Sequence, residues 1–128
     1  MAQQVSRITL LVNDQQEAMA YYCSTLNFEL LEDTWVTETK RWVVVAPQGS
    51  SGSAFVLAKA NDDQQLERVG NQTGGKVLVV LRTDTFDADV QRLMEHGVNI
   101  VRGPVTEAWG NVVVFEDLYG NLWDLVGT

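Results

Sequence analysis

Cysteine and histidine are almost absent from this chain: Cys23 and His96 are the only examples in 128 residues. A lone cysteine cannot close an internal disulfide, which excludes a disulfide-stapled scaffold. With no histidine near it in sequence, Cys23 reads as a small buried hydrophobe on a helix rather than a thiolate nucleophile. The lone histidine would have to serve as the base of any Ser-His-Asp triad, so nothing supports one. His96 sits just before Gly97 at the end of a predicted helix, where it reads as a surface residue complementing the helix dipole. Basic residues are also scarce, nine Lys and Arg against seventeen Asp and Glu, for a net charge of −8. That balance argues against nucleic acid or an anionic membrane as partner and permits a cationic ligand. Apolar runs such as Trp42 to Ala46 are far too short to span a bilayer. Met1-Ala2-Gln3-Gln4 lacks the basic and apolar regions of a secretory signal. Together with the single cysteine, this predicts a cytoplasmic protein.

What is present is the composition of one ordinary globular domain, 45% hydrophobic and 20% charged, long enough to bury a core. Val5 to Asn13 reads as a buried strand. Asp14 with Glu17 forms a capping box that opens a helix through Ser24, with Ala18, Met19, Tyr22 and Cys23 on its apolar face. Asn27 suits a left-handed helix end. Strands follow over 28–35, 40–46 and 53–58, the second stopped by Pro47. The polar stretch 60–75 is the linker, with Asn61 and Gln64 capping a short helix over 62–69. Its Gly70–Gly75 segment lacks the Lys-Ser/Thr of a P-loop and reads as a connector. Beyond it the order recurs: a strand over 76–82, a helix started by Asp84 with Asp87, a strand over 98–102 stopped by Gly103-Pro104, a strand over 109–115, and a last strand. In that last strand Leu122, Asp124 and Val126 share one face, which places a carboxylate among apolar side chains and demands a partner for it.

The recurrence is an internal repeat. A shift of 70 residues places Asp14 on Asp84, Ala18 on Ala88, Asn27 on Gly97 and Leu30 on Ile100. The same shift sets Trp42-Val43-Val44-Val45 on Val112-Val113-Val114-Phe115. The turn before the last strand, Gly52 on Gly120, needs a shift of 68. The modules are 5–59 and 76–127, within a single domain spanning 1–128.

Ile8-Thr9-Leu10-Leu11-Val12-Asn13-Asp14 with Ala18 and Tyr21-Tyr22, Leu26-Asn27-Phe28, and above all Asp117-Leu118-Tyr119-Gly120-Asn121-Leu122-Trp123-Asp124-Leu125-Val126 carry a further message. With them the chain resembles the glyoxalase/bleomycin resistance/dioxygenase (vicinal oxygen chelate) superfamily over its full length. The resemblance implies an α+β fold of two βαβββ modules, whose antiparallel-rich curved sheets carry a helix on the convex side and form a cavity with their concave faces. It also implies a homodimer. In metal-dependent members the cavity holds a divalent ion, with ligands from the first and last strands of each module. Those positions fall on Arg7 and Val56 in the first module, and on Val77 (or Leu78) and Asp124 in the second. Arginine stays protonated and valine has no donor atom, so no metal and no cofactor is expected.

Arg7 and Asp124 then either pair with each other or face ligand groups, Arg7 an anion and Asp124 an amine or hydroxyl. Trp35, Trp42, Trp109 and Phe55 lie on strands or strand edges, where flat rings line pockets; of these, Trp42 and Trp109 are the candidate ligand contacts. The leading reading is a metal-independent small-molecule-binding protein of the bleomycin-resistance type, its ligand unnamed. The alternatives are a metal-dependent lyase, isomerase or dioxygenase of glyoxalase I type, and a metal-free enzyme using Asp124 as general base. The last is disfavoured, because a nearby Arg7 would lower the pKa that such a base needs raised.

Overall fold

A computed structural model describes residues 1–128, which divide into two compact units, Met1–Val69 and Gly70–Thr128. In the first, the order is β1 (Arg7–Val12), α1 (Gln15–Ser24), β2 (Glu29–Trp35), β3 (Arg41–Ala46), β4 (Ala54–Lys59) and α2 (Asp63–Arg68). Asp14 caps α1, its Oδ1 accepting from the Glu17 N–H at 2.8 Å, and Asn27 takes the left-handed φ of 58° that releases the chain into β2. The sheet order is β1-β4-β3-β2, with β1 and β4 parallel and the other pairs antiparallel.

Strand alternation sorts this sheet into two faces. Ile8, Leu10, Val12, Val43, Val45, Phe55 and Leu57 turn toward α1, where Ala18 and Tyr22 are buried. Tyr22 stacks on Phe28 and Phe28 on Phe55, with ring centroids 5.9 and 6.3 Å apart. Gln15 fastens the helix to the sheet by donating to the carbonyls of Arg41 and Leu57, each at 2.8 Å. The opposite face carries Arg7, Thr9, Trp42, Val44, Ala46, Ala54, Val56 and Glu32. The short helix α2 is capped by Asp62 rather than Asn61: Asp62 Oδ1 accepts from Gln65 N, while the Gln65 side chain turns back to Asn61 N.

The second unit repeats the plan: β5 (Val77–Thr83), α3 (Phe86–Glu95), β6 (Ile100–Glu107), β7 (Gly110–Glu116) and β8 (Leu122–Gly127), in sheet order β5-β8-β7-β6. Again the outer pair β5/β8 is parallel and the rest antiparallel. Phe86, Val90 and Leu93 of α3 are buried, as are Val113, Phe115, Trp123 and Leu125 on one face of the sheet. The indole of Trp123 stacks on Phe115 at 6.1 Å.

Three expectations change here. The strand read as ending at Arg102 runs on to Glu107. A register shift between Arg102 and Val105 lifts Gly103-Pro104 out of the ladder with β7, and β6 is an edge strand, so the missing proline N–H is not needed. The helix expected to start on Asp84 has Thr85 as its N-cap, with no side-chain cap. There the Thr83 hydroxyl accepts from Thr85 N, and Asp89 accepts from the hydroxyls of Thr83 and Thr85. Trp109 lies in the β6–β7 turn rather than on a strand, and is 66% exposed.

Gly70, within the expected linker, has a fixed role. Its φ is +75°, and a Cβ there would lie 1.8 Å from the Tyr119 carbonyl oxygen, so only glycine lets the two backbones meet. No helix is long and apolar enough to cross a membrane.

Candidate ligand-binding site

The face of the first sheet turned away from α1 begins with a floor. Val44, Ala46, Ala54 and Val56 form a buried apolar cluster on the two inner strands. All four are buried, and two of them are alanines, so the floor itself is made of small side chains. β1 and β2 are the outer strands, and each sends one long charged side chain over that floor. Arg7 starts β1 opposite Ala54, and Glu32 on β2 lies opposite Val44. Their side chains meet, with Arg7 Nη2 3.5 Å from Glu32 Oε2. A second Arg7 nitrogen donates to the carbonyl oxygen and hydroxyl of Ser6, at 3.0 and 3.3 Å.

Trp42 on β3 completes the group. Its Nε1–H donates to Glu32 Oε2 at 3.2 Å, so one carboxylate oxygen takes both the guanidinium and the indole. The ring itself stays partly open, 36% exposed. The result is a charged strap and a flat aromatic ring over a small apolar patch, with both side chains of the strap well exposed. Two of the residues expected from the sequence, Arg7 and Trp42, thus meet at a third, Glu32, which was not among them. A register shift between Leu30 and Glu32 is the reason: Leu30 faces Val45 and Glu32 faces Val44, so simple alternation along β2 fails. Thr34, two residues on, pairs with Trp42 and so keeps Glu32 on the same face as that ring.

The other aromatic candidates lie elsewhere. Phe55 is in the core beneath α1. Trp35 is also on the α1 side, where the Arg41 guanidinium lies 5.6 Å from its ring centroid. Arg41 grips Asp33 through two hydrogen bonds, Nε to Oδ1 at 2.7 Å and Nη2 to Oδ2 at 2.8 Å, and also reaches Gln16 of α1. The hydrogen bond from Arg41, aided by its charge, holds the Asp33 carboxyl below the ordinary range. Burial pushes the Cys23 thiol up, away from the thiolate.

In the second unit Asp124 is half-buried at the middle of β8, opposite Val80 on β5 and Val114 on β7, with Leu122 and Val126 beside it on the same face. Within its unit the carboxylate has neither a hydrogen bond nor an ion pair. The buried carboxylate of the terminal motif is Asp117. Its Oδ1 accepts from the N–H groups of Tyr119 and Asn121, and its Oδ2 from the Asn121 amide and the Trp123 indole, each at 3.0 Å. The motif's most prominent acid therefore builds the turn around Gly120, whose φ is +97°.

Registers and alternation place Arg7 with Val56 on one face of the first sheet, and Val77 with Asp124 on one face of the second. A permanent cation, two valines and one carboxylate do not fit a divalent metal, which needs three or more convergent donors. No group of three or more His, Cys, Asp or Glu side chains in the chain could hold one.

Residues 4–125 match the family model of the Glyoxalase/Bleomycin resistance protein/Dioxygenase superfamily. The chain belongs to that superfamily. It is 48% identical over 127 residues to an uncharacterised protein of Shewanella frigidimarina (strain NCIMB 400), covering 98% of this chain and 94% of that protein. Among solved structures it is similar to UcmS2, with a TM-score of 0.84 and 30% identity over 98% of both chains. It is also similar to TnmS3, an antibiotic binding protein from Streptomyces sp. CB03234, with a TM-score of 0.79 and 32% identity over 98% of this chain and 96% of that one.

Proposed function

We propose that this protein binds a small molecule without metal chemistry, taking a ligand with a flat aromatic portion and holding it non-covalently. The observation that carries this reading is the residue set Arg7, Val56, Val77 and Asp124 at the superfamily's chelating positions, which has the wrong chemistry for a divalent cation. Similarity to an antibiotic binding protein at 32% identity supports binding as the task. On the first sheet Trp42 offers a ring to stack on and Arg7 a charge-assisted donor. On the second, Asp124 offers an unpartnered carboxylate among valines and a leucine, and Trp109 an exposed ring at a hairpin tip. The protein acts as a cytoplasmic homodimer in this reading, its two βαβββ modules serving as one binding domain.

Isothermal titration tests the reading in two arms. Metal-free bleomycin is expected to bind stoichiometrically with a dissociation constant in the micromolar range or tighter, about −8 kcal/mol or better. Ni²⁺, Zn²⁺, Mn²⁺ and, under anaerobic conditions, Fe²⁺ are expected to show no stoichiometric binding. Tight uptake of any of these metals would replace the binding protein with a metal-dependent enzyme.

A further inference from the structure

We infer that Glu32 anchors the cationic group of the ligand, and that the Arg7–Glu32 pair is a strap the ligand displaces. The inference rests on the binding reading above and narrows it to planar aromatic molecules bearing a protonated amine or amidine. Three observations on one sheet face lead to it.

The first is geometry. Arg7 and Glu32 come from the two outer strands and meet above Val44, Ala46, Ala54 and Val56, which are all buried, so a ligand reaches that patch only by moving the pair aside. The second is the division of labour on the carboxylate. Oε2 takes the Trp42 indole and the Arg7 guanidinium, while Oε1 has no partner. The indole bond fixes Glu32 at the rim of the Trp42 ring. A ring stacked on Trp42 therefore brings a substituent amine to Oε1, and the carboxylate can exchange one cation for another without ever being left unpaired. The third is the weakness of the existing bond. At 3.5 Å and with both side chains exposed, the Arg7–Glu32 contact is worth little in water, and the guanidinium keeps its Ser6 acceptors when released. The net charge of −8 further favours a cation on approach.

The probes are 9-aminoacridine, planar and cationic at neutral pH, and anthraquinone-2-sulfonate, planar and anionic, titrated calorimetrically into the full-length chain at low salt. Wild type is expected to prefer 9-aminoacridine. Glu32→Gln retains an oxygen for the Trp42 indole but removes the charge; it is expected to weaken 9-aminoacridine at least tenfold and to strengthen the sulfonate several-fold, as Arg7 is freed. Arg7→Gln should act in the opposite sense, tightening 9-aminoacridine several-fold. Circular dichroism and thermal melting of each variant confirm that it is folded. If Glu32→Gln weakens both probes alike, or leaves the 9-aminoacridine affinity where it was, Glu32 is not the anchor. If bleomycin binds wild type while the Glu32 variant handles 9-aminoacridine as wild type does, the binding reading stands and this inference alone falls. If neither bleomycin nor either probe binds wild type, both fall together.

Discussion

The indole N–H of Trp123 donates to Asp117 Oδ2 at 3.0 Å, inside a core where the tryptophan is completely buried. This bond joins the turn before the last strand to the hydrophobic centre of the second unit. The same oxygen takes the Asn121 side-chain amide, and Oδ1 takes two backbone N–H groups. One carboxylate thus satisfies donors that water cannot reach, and each would carry a desolvation penalty if left alone.

Asp117→Ala is accordingly expected to destabilise the protein by about 3 kcal/mol, the sum of several unsatisfied buried donors at roughly 1 kcal/mol or more each. Urea denaturation at pH 7 would show this as a lower midpoint with an unchanged slope. A loss under about 1 kcal/mol would mean that water enters the turn and replaces the carboxylate.

Asp124→Asn should behave differently although it lies one residue from Trp123. Within its unit its carboxylate has no hydrogen-bond partner, so the substitution is expected to change stability by no more than about 0.5 kcal/mol. Thermal melting at neutral pH checks this. A drop of several kcal/mol would show that the charge is paired and structural.

Asp33→Asn probes the two-pronged contact with Arg41. The carboxyl is held low in the folded state by the hydrogen bond from Arg41, so its stabilising effect is complete above the unfolded value of about 3.9. That effect is lost as pH falls through the lower folded value. The variant should therefore be less stable than wild type by about 1 kcal/mol at pH 7, discounted for partial exposure. The gap should close toward pH 2. A gap that persists in acid would place the effect in packing rather than charge.

Much of this fold was legible in the sequence because its signals are local. Asp14 with Glu17, Asn27, Gly97 and Gly120 each specify a cap or turn from their own side-chain or φ requirements, and the alternating strands announce themselves by period. The seventy-residue offset between Asp14 and Asp84 exposed a repeat that the two matching sheet orders display in full. The limits of that reading are equally physical. Gly103-Pro104 reads as a strand end, yet β6 passes through it because an edge-strand bulge removes the need for the N–H. Asp84 matches Asp14 in sequence, but Thr85 became the N-cap of α3.

By itself, then, the sequence determined most of the elements and their duplication, since both follow from residue type and spacing. Only the tertiary structure decided which acid matters for what. Asp124 drew attention by its place in the terminal motif, but Asp117 is the carboxylate that holds that motif together. Glu32, in a stretch with no motif at all, is the one that meets Arg7 and Trp42. Those partnerships depend on a bulge in β2 and on side chains reaching from opposite edges of a sheet, relations between residues 25 and 10 positions apart that no local pattern encodes.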